Sequence, residues 1–184
     1  ELSNVKNKFK LFENYLLYVG SIEKRKNLLT LLESLKNLPN KNLIIIGEGT
    51  SYKKECLDFI KKNKLKNRTK ILSGLNLFEM ACIYQDAEML IYPSIFEGFG
   101  IPIIEALFSK IPVITSRDGC FKEAGGENSI YIDPLSSKEI TNEINNISND
   151  ENLKKKMIEK GYDFAQNFTD KKIANNLIQV YNSL

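Results

Sequence analysis

Two glutamates, Glu97 and Glu105, flank a pair of glycines and a proline in the run Tyr92-Pro-Ser-Ile-Phe-Glu97-Gly98-Phe99-Gly100-Ile101-Pro102-Ile-Ile-Glu105-Ala106. Carboxylates accept hydrogen bonds from hydroxyl groups, and two of them at this spacing can border one pocket and grip different rings of one ligand. Gly98 and Gly100 remove side chains where backbone must come close to a bound molecule. Pro102 suits the first position of a helix, where its missing N–H costs nothing. The opening amides and the positive dipole end of such a helix form a seat for phosphate or another anion. The same residues also admit a plainer reading, in which Glu105 complements its helix dipole and Glu97 is a solvated loop residue.

A second cluster, Gly20-Ser21-Ile22-Glu23-Lys24-Arg25-Lys26-Asn27, combines a glycine with neighbouring cations. Arg25 and Lys26 beside a phosphate seat would neutralise charge that builds on a departing diphosphate, a role a metal plays elsewhere. A solvated basic patch is the alternative, since charge runs usually mark exposed faces. Against it, basic side chains at a helix start oppose the dipole unless an anion lies nearby. In Gly47-Glu48-Gly49 the glycines allow close approach of a ligand, or are ordinary left-handed turn glycines. That segment opens like a dinucleotide fingerprint, but Tyr52 takes the third glycine position, so NAD binding is poorly supported. A P-loop motif and an Asp-x-Asp pair are both missing, and the chain has no histidine, which removes the serine-hydrolase triad and the commonest metal ligand.

The elements that must hold these residues alternate between short β-prone apolar runs and segments of helical period. Strands are expected at Tyr15–Val19, Leu43–Ile46, Lys70–Leu72, Met89–Tyr92, Pro112–Thr115 and Ile130–Ile132. Helices are expected at Asn27–Leu38, Ser51–Lys64, Leu77–Gln85 with Asn76 as its cap, Pro102–Ser109, a short turn at Phe121–Ala124, and then Ser137–Ser148, Glu151–Asn167 and Thr169–Leu184. The alternation is the signature of βαβ units, so the expected fold class is α/β, a Rossmann-like doubly wound parallel sheet of about six strands with helices on both faces. Ligands of such sheets bind beyond the carboxyl ends of the strands, and both clusters directly follow a strand.

The bulk numbers narrow the rest. A chain of 184 residues with 42% hydrophobic and 27% charged residues builds one core, and one domain over residues 1–184 is expected. A net charge of +3 is too small to make nucleic acid the partner. Cys56, Cys82 and Cys120 are scattered and odd in number, which fits a reducing compartment and no zinc site. No apolar run approaches the roughly 18 residues of a spanning helix.

The segment EGFGIPIIEA resembles the E-x7-E signature of the retaining glycosyltransferases of family 4, and the resemblance extends over nearly the whole chain. It takes in YLLYVGSIEKRKN at Tyr15–Asn27, LIIIGEG at Leu43–Gly49, Met80–Ser94, IPVITS at Ile111–Ser116 and IYIDP at Ile130–Pro134. It implies the C-terminal, donor-binding half of a GT-B fold, with the acceptor bound mainly by an N-terminal lobe that this chain does not contain. It also implies that Glu97 contacts the transferred sugar, that Glu105 holds the ribose, and that the amides of Phe99, Gly100 and Ile101 serve the sugar and the diphosphate. Lys26 matches the family lysine; many members carry an arginine where Ser21 stands here, so Arg25 would supply the second charge. Gly20, Gly47, Gly98 and the end of the third strand at Leu72 complete the expected donor pocket.

The function so implied is transfer of a hexose, with retention, from a GDP- or UDP-sugar to a glycan or lipid-linked acceptor in bacterial surface polysaccharide synthesis, without metal or cofactor. The wording of Gly20–Asn27 resembles mannosyltransferases and favours GDP-mannose. A cytoplasmic location at the inner membrane face follows, any peripheral membrane contact falling to the other lobe. The alternatives are a non-catalytic nucleotide-sugar-binding lobe or a GT-B-fold sugar-nucleotide epimerase. Replacing Glu97 by Gln is expected to cut turnover while leaving nucleotide affinity nearly intact.

Overall fold

The computed structural model describes residues 2–49 and 51–183. Six strands, β1 (Leu16–Val19), β2 (Leu43–Ile46), β3 (Thr69–Leu72), β4 (Met89–Tyr92), β5 (Val113–Ser116) and β6 (Ile130–Ile132), form one sheet in the order β3-β2-β1-β4-β5-β6. Every neighbouring pair is parallel. The chain winds outward one way from β1 and the other way from β4, so the crevice of a doubly wound sheet opens where those two strands meet. Parallel pairing in register Val19↔Ile46↔Leu72 brings three strand ends level, and Gly20, Gly47 and Ser73 leave the sheet side by side.

Helices α1 (Leu2–Phe9), α2 (Leu28–Lys36), α3 (Ser51–Lys62), α4 (Leu77–Asp86), α5 (Ile101–Phe108), α6 (Phe121–Gly125), α7 (Ser137–Asn149), α8 (Glu151–Ala165) and α9 (Asp170–Asn182) surround the sheet. Successive strand residues face opposite sides. Leu16, Tyr18, Leu43, Ile45, Met89 and Ile91 pack into a core with α2, α3 and α7, while Leu17, Val19, Ile44, Ile46, Leu90 and Tyr92 pack with α4, α5 and α6. Burial on both faces explains why these strands read as unbroken apolar runs.

The caps follow from sequence. Asn76 Oδ1 accepts from the Glu79 amide (2.9 Å) and the Asn76 amide donates to Glu79 Oε2 (3.0 Å), a reciprocal capping box that starts α4 where expected. Ser136 and Asp150 cap α7 and α8 in the same way with one bond each.

Some boundaries differ from expectation. α5 opens at Ile101 and Pro102 stands second, because Gly100 takes a left-handed conformation (φ 98°) and turns the chain into the helix one residue earlier. β5 runs one residue later, since its pairing with β6 extends to Ser116↔Ile132. The helix expected to reach Asn167 ends at Ala165 in a 3-10 turn, Gln166–Phe168, and the extended backbone of Thr169 (ψ 149°) separates it from α9. Leu184, at which the last helix was expected to end, lies outside the described residues. α1 was not expected at all: it buries only Val5 and is tied to α4 by Lys6–Asp86 (3.0 Å) and Lys8–Glu79 (2.5 Å).

Candidate functional site

The chain after β1 enters a 3-10 turn, Lys24–Lys26, and the chain after β4 runs through Pro93–Gly100 into α5. The sheet order places the two loops against each other. The Arg25 carbonyl accepts from the Ile95 amide (2.7 Å), so the backbone that carries the cations is fixed to the backbone that carries Glu97.

Lys26 is buried, which excludes the solvated-patch reading for that residue. Its Nζ pairs with Glu97 Oε1 (2.5 Å) and donates to Tyr92 Oη (2.8 Å). A β-carbon on Gly20 would stand in ordinary contact, 3.6–3.8 Å, with the end of the Lys26 stem, so it is the positive φ of 147° and not room for Lys26 that favours glycine there. Arg25 is more exposed and reaches Glu97 Oε2 through a terminal guanidinium nitrogen (3.3 Å), with Glu23 Oε2 on its Nε (3.2 Å). Ser94 Oγ donates to Glu97 Oε1 (2.6 Å). Glu97 is thus no solvated loop residue, for its side chain is 9% exposed. Burial pushes its carboxyl upward, but hydrogen bonds from Lys26, Ser94 and Tyr92 outweigh that and hold it below the usual carboxylate range. Burial and the same carboxylate push the Tyr92 phenol up, so it stays protonated.

After Glu97 the backbone is open. No described group accepts from the amides of Gly98, Phe99, Gly100 or Ile101. A β-carbon on Gly98 would meet nothing within 4 Å, which leaves room above the loop. Four consecutive unengaged donors and the start of α5 thus follow directly on the carboxylate that holds the two cations, a combination suited to a diphosphate.

Glu105 lies elsewhere. Its Oε2 accepts from the buried Tyr84 hydroxyl (2.7 Å), and it lines a groove of about 240 Å³ with Leu77, Met80, Tyr84 and Phe108 between α4 and α5. The two glutamates share no hydrogen-bond partner, and Glu97 does not line that groove.

Three expected site residues serve the chain itself. A methyl group at Gly47 would run into the Gly20 carbonyl oxygen, and one at Gly49 into that of Ile22; the glycines admit neighbouring backbone, and neither has the left-handed φ of a turn glycine. The Gly20 amide is used by Ile46 O (3.0 Å), and the Leu72 carbonyl by the Gly47 amide (3.0 Å). Sequence reasoning passed over Tyr92, Ser94, Asn27 and Tyr84 as site residues; all but Tyr84 stand inside or beside the two motifs, and adjacency was the available signal.

Comparison with known proteins agrees with this geometry. A model of the family described as glycosyl transferases group 1 matches residues 1–164. The O-antigen chain mannosyltransferase RfbU of Salmonella typhimurium is 35% identical over 136 residues, 73% of this chain and 38% of the relative. O-antigen chain mannosyltransferase B of Escherichia coli is 25% identical over 94% of this chain and 47% of its own length. The chain thus spans less than half the length of these curated relatives. Among solved structures, Anabaena HepE in complex with UDP and glucose superposes with a TM-score of 0.87 at 22% identity, over 100% of this chain and 52% of that one. The C-terminal domain of the group 1 glycosyl transferase LpcC from Francisella tularensis superposes at 0.77 with 26% identity, over 91% of this chain and 92% of that one. With the strand order, the paired loops and the E-x7-E segment all in place, the chain belongs to the group 1 glycosyl transferases and has the fold of the C-terminal domain of their GT-B enzymes.

Proposed function

We propose that this chain binds the nucleotide-diphosphate sugar of a retaining hexosyltransferase that serves bacterial surface polysaccharide synthesis. The observation that carries this reading is that Arg25 and Lys26 close on Glu97, the residue directly before four unengaged amides that lead into α5. The similarity to two O-antigen mannosyltransferases supports a polysaccharide acceptor, and the UDP held by the HepE neighbour supports a nucleoside diphosphate at this fold's crevice.

The chemistry follows from the site. As the bond from the anomeric carbon to the diphosphate lengthens, negative charge grows on the leaving oxygens, and fixed donors stabilise it without reorganisation. Arg25, Lys26 and the α5 amides occupy the place where a metal works in other transferases, and no metal is invoked. The acceptor hydroxyl attacks from the face the diphosphate leaves, which retains configuration. Glu97 orients the sugar and eases positive charge at the anomeric carbon; Glu105, held by Tyr84, accepts from the ribose hydroxyls. The acceptor is bound by polypeptide beyond this chain.

Calorimetric titration with UDP and GDP tests the reading, and absence of binding by either at millimolar concentration contradicts it. In a full-length enzyme Glu97→Gln is expected to lower kcat by about a hundredfold or more, the scale of removing one transition-state contact. An unchanged kcat would take Glu97 out of the reaction.

A further inference from the structure

We propose that Asn27 is a positioning residue, a clamp that sets the Arg25–Lys26 turn against the Glu97 loop at the spacing a diphosphate requires; the inference rests on the donor-site reading above. Asn27 follows Lys26 directly and is buried, with a left-handed backbone (φ 56°, ψ 37°) that ends the 3-10 turn and starts α2. Few non-glycine residues adopt that conformation, asparagine being among the most tolerant. A helix-start asparagine ordinarily spends its side chain on the amides of its own helix. Here it makes no such cap.

Instead the amide nitrogen spans two other loops. Asn27 Nδ2 donates to the Pro93 carbonyl (3.2 Å), on the segment between Tyr92 and Glu97, and to the Pro134 carbonyl (2.5 Å) after β6. Its Oδ1 accepts from Thr30 Oγ1 (2.7 Å), which fixes which way the amide faces. One side chain thus ties the loop of the cations to the loop of the glutamate and braces both against a third. Neither proline carbonyl has another described donor. Glycine would satisfy the φ at this position, so the backbone alone does not explain a buried asparagine. The remaining explanation is the three-loop tie, which fixes the backbone from which Lys26 and Arg25 reach into the crevice.

Asn27→Gly keeps the backbone conformation and removes both donors. Two-dimensional NMR titrations of the wild type and the variant with UDP, GDP and uridine separate the possibilities. The clamp lowers affinity for the diphosphate that the wild type binds by about tenfold when removed, because misplacement by a fraction of an ångström weakens directed contacts. Uridine, which has no phosphate, binds both proteins equally. If the glycine variant does not fold, Thr30→Val frees the amide without touching the backbone and is expected to weaken diphosphate binding about threefold, again sparing uridine. Wild-type binding of a diphosphate with unchanged affinity in the variants overturns the clamp alone. Equal weakening of UDP and uridine reduces Asn27 to a structural part and overturns it too. Failure of the wild type to bind either diphosphate removes the donor-site reading, and the clamp with it.

Discussion

At the scale of residues, Glu97 stands where an incoming diphosphate must compete, because it already occupies both cations. Its carboxyl is depressed in the folded protein, so its ion pairs contribute fully above the unfolded value of about 4.3 and are lost as pH falls through the lower folded value. Replacing it by Gln leaves the buried Lys26 ammonium beside neutral acceptors and without its anion, a loss on the order of 3 kcal/mol. A diphosphate then restores the missing anion. UDP or GDP is accordingly expected to raise the melting temperature of Glu97→Gln by more than that of the wild type, and an equal or smaller shift in a thermal-unfolding assay would contradict the competition. The same assay decides the expectation from sequence that the substitution leaves nucleotide affinity nearly intact, which requires equal shifts. Glu97, Lys26 and the amides beyond Gly98 were legible because motif and spacing marked them. The bond between Glu97 and Lys26 was not, since nothing in the sequence says that residues 71 positions apart close on each other in the absence of ligand.

At the scale of elements, the level ends of β1, β2 and β3 leave no space for a side chain where Gly20 and Gly47 cross. Gly47→Ala is expected to destabilise the protein by about 3 kcal/mol, the upper range for overpacking, and to lower the urea midpoint. A midpoint within error of the wild type would show that the loops part easily. Most strands and helices were readable, with their ends displaced by a residue or two. β5 slipped because a strand buried on both faces carries no alternation to mark its first residue. α1 escaped because one buried residue, Val5, and the charge pairs of Lys6 and Lys8 with Asp86 and Glu79 leave no periodic apolar trace.

At the scale of the molecule, the sheet joins two cores, yet α9 stands outside both. None of its residues is buried, and Ile173, Leu177, Ile178, Val180 and Tyr181 are all exposed. Ending the chain after Thr169 is therefore expected to shift the melting temperature by less than about 2 °C, since no buried residue is lost; a larger drop in calorimetry would reveal a contribution from the helix. The strand order was legible only as a class. What brings the β1 and β4 loops together is the reversal between those strands, a long-range fact that short apolar runs do not encode. The cradle formed at that reversal is the core of the account, and a crystal structure with UDP or GDP bound tests it most directly. Both phosphate groups are expected within hydrogen-bond reach of the Phe99, Gly100 and Ile101 amides, with Lys26 Nζ and the Arg25 guanidinium turned from Glu97 toward them. A nucleotide lodged away from α5, or cations still paired with Glu97 while phosphate sits elsewhere, would contradict it.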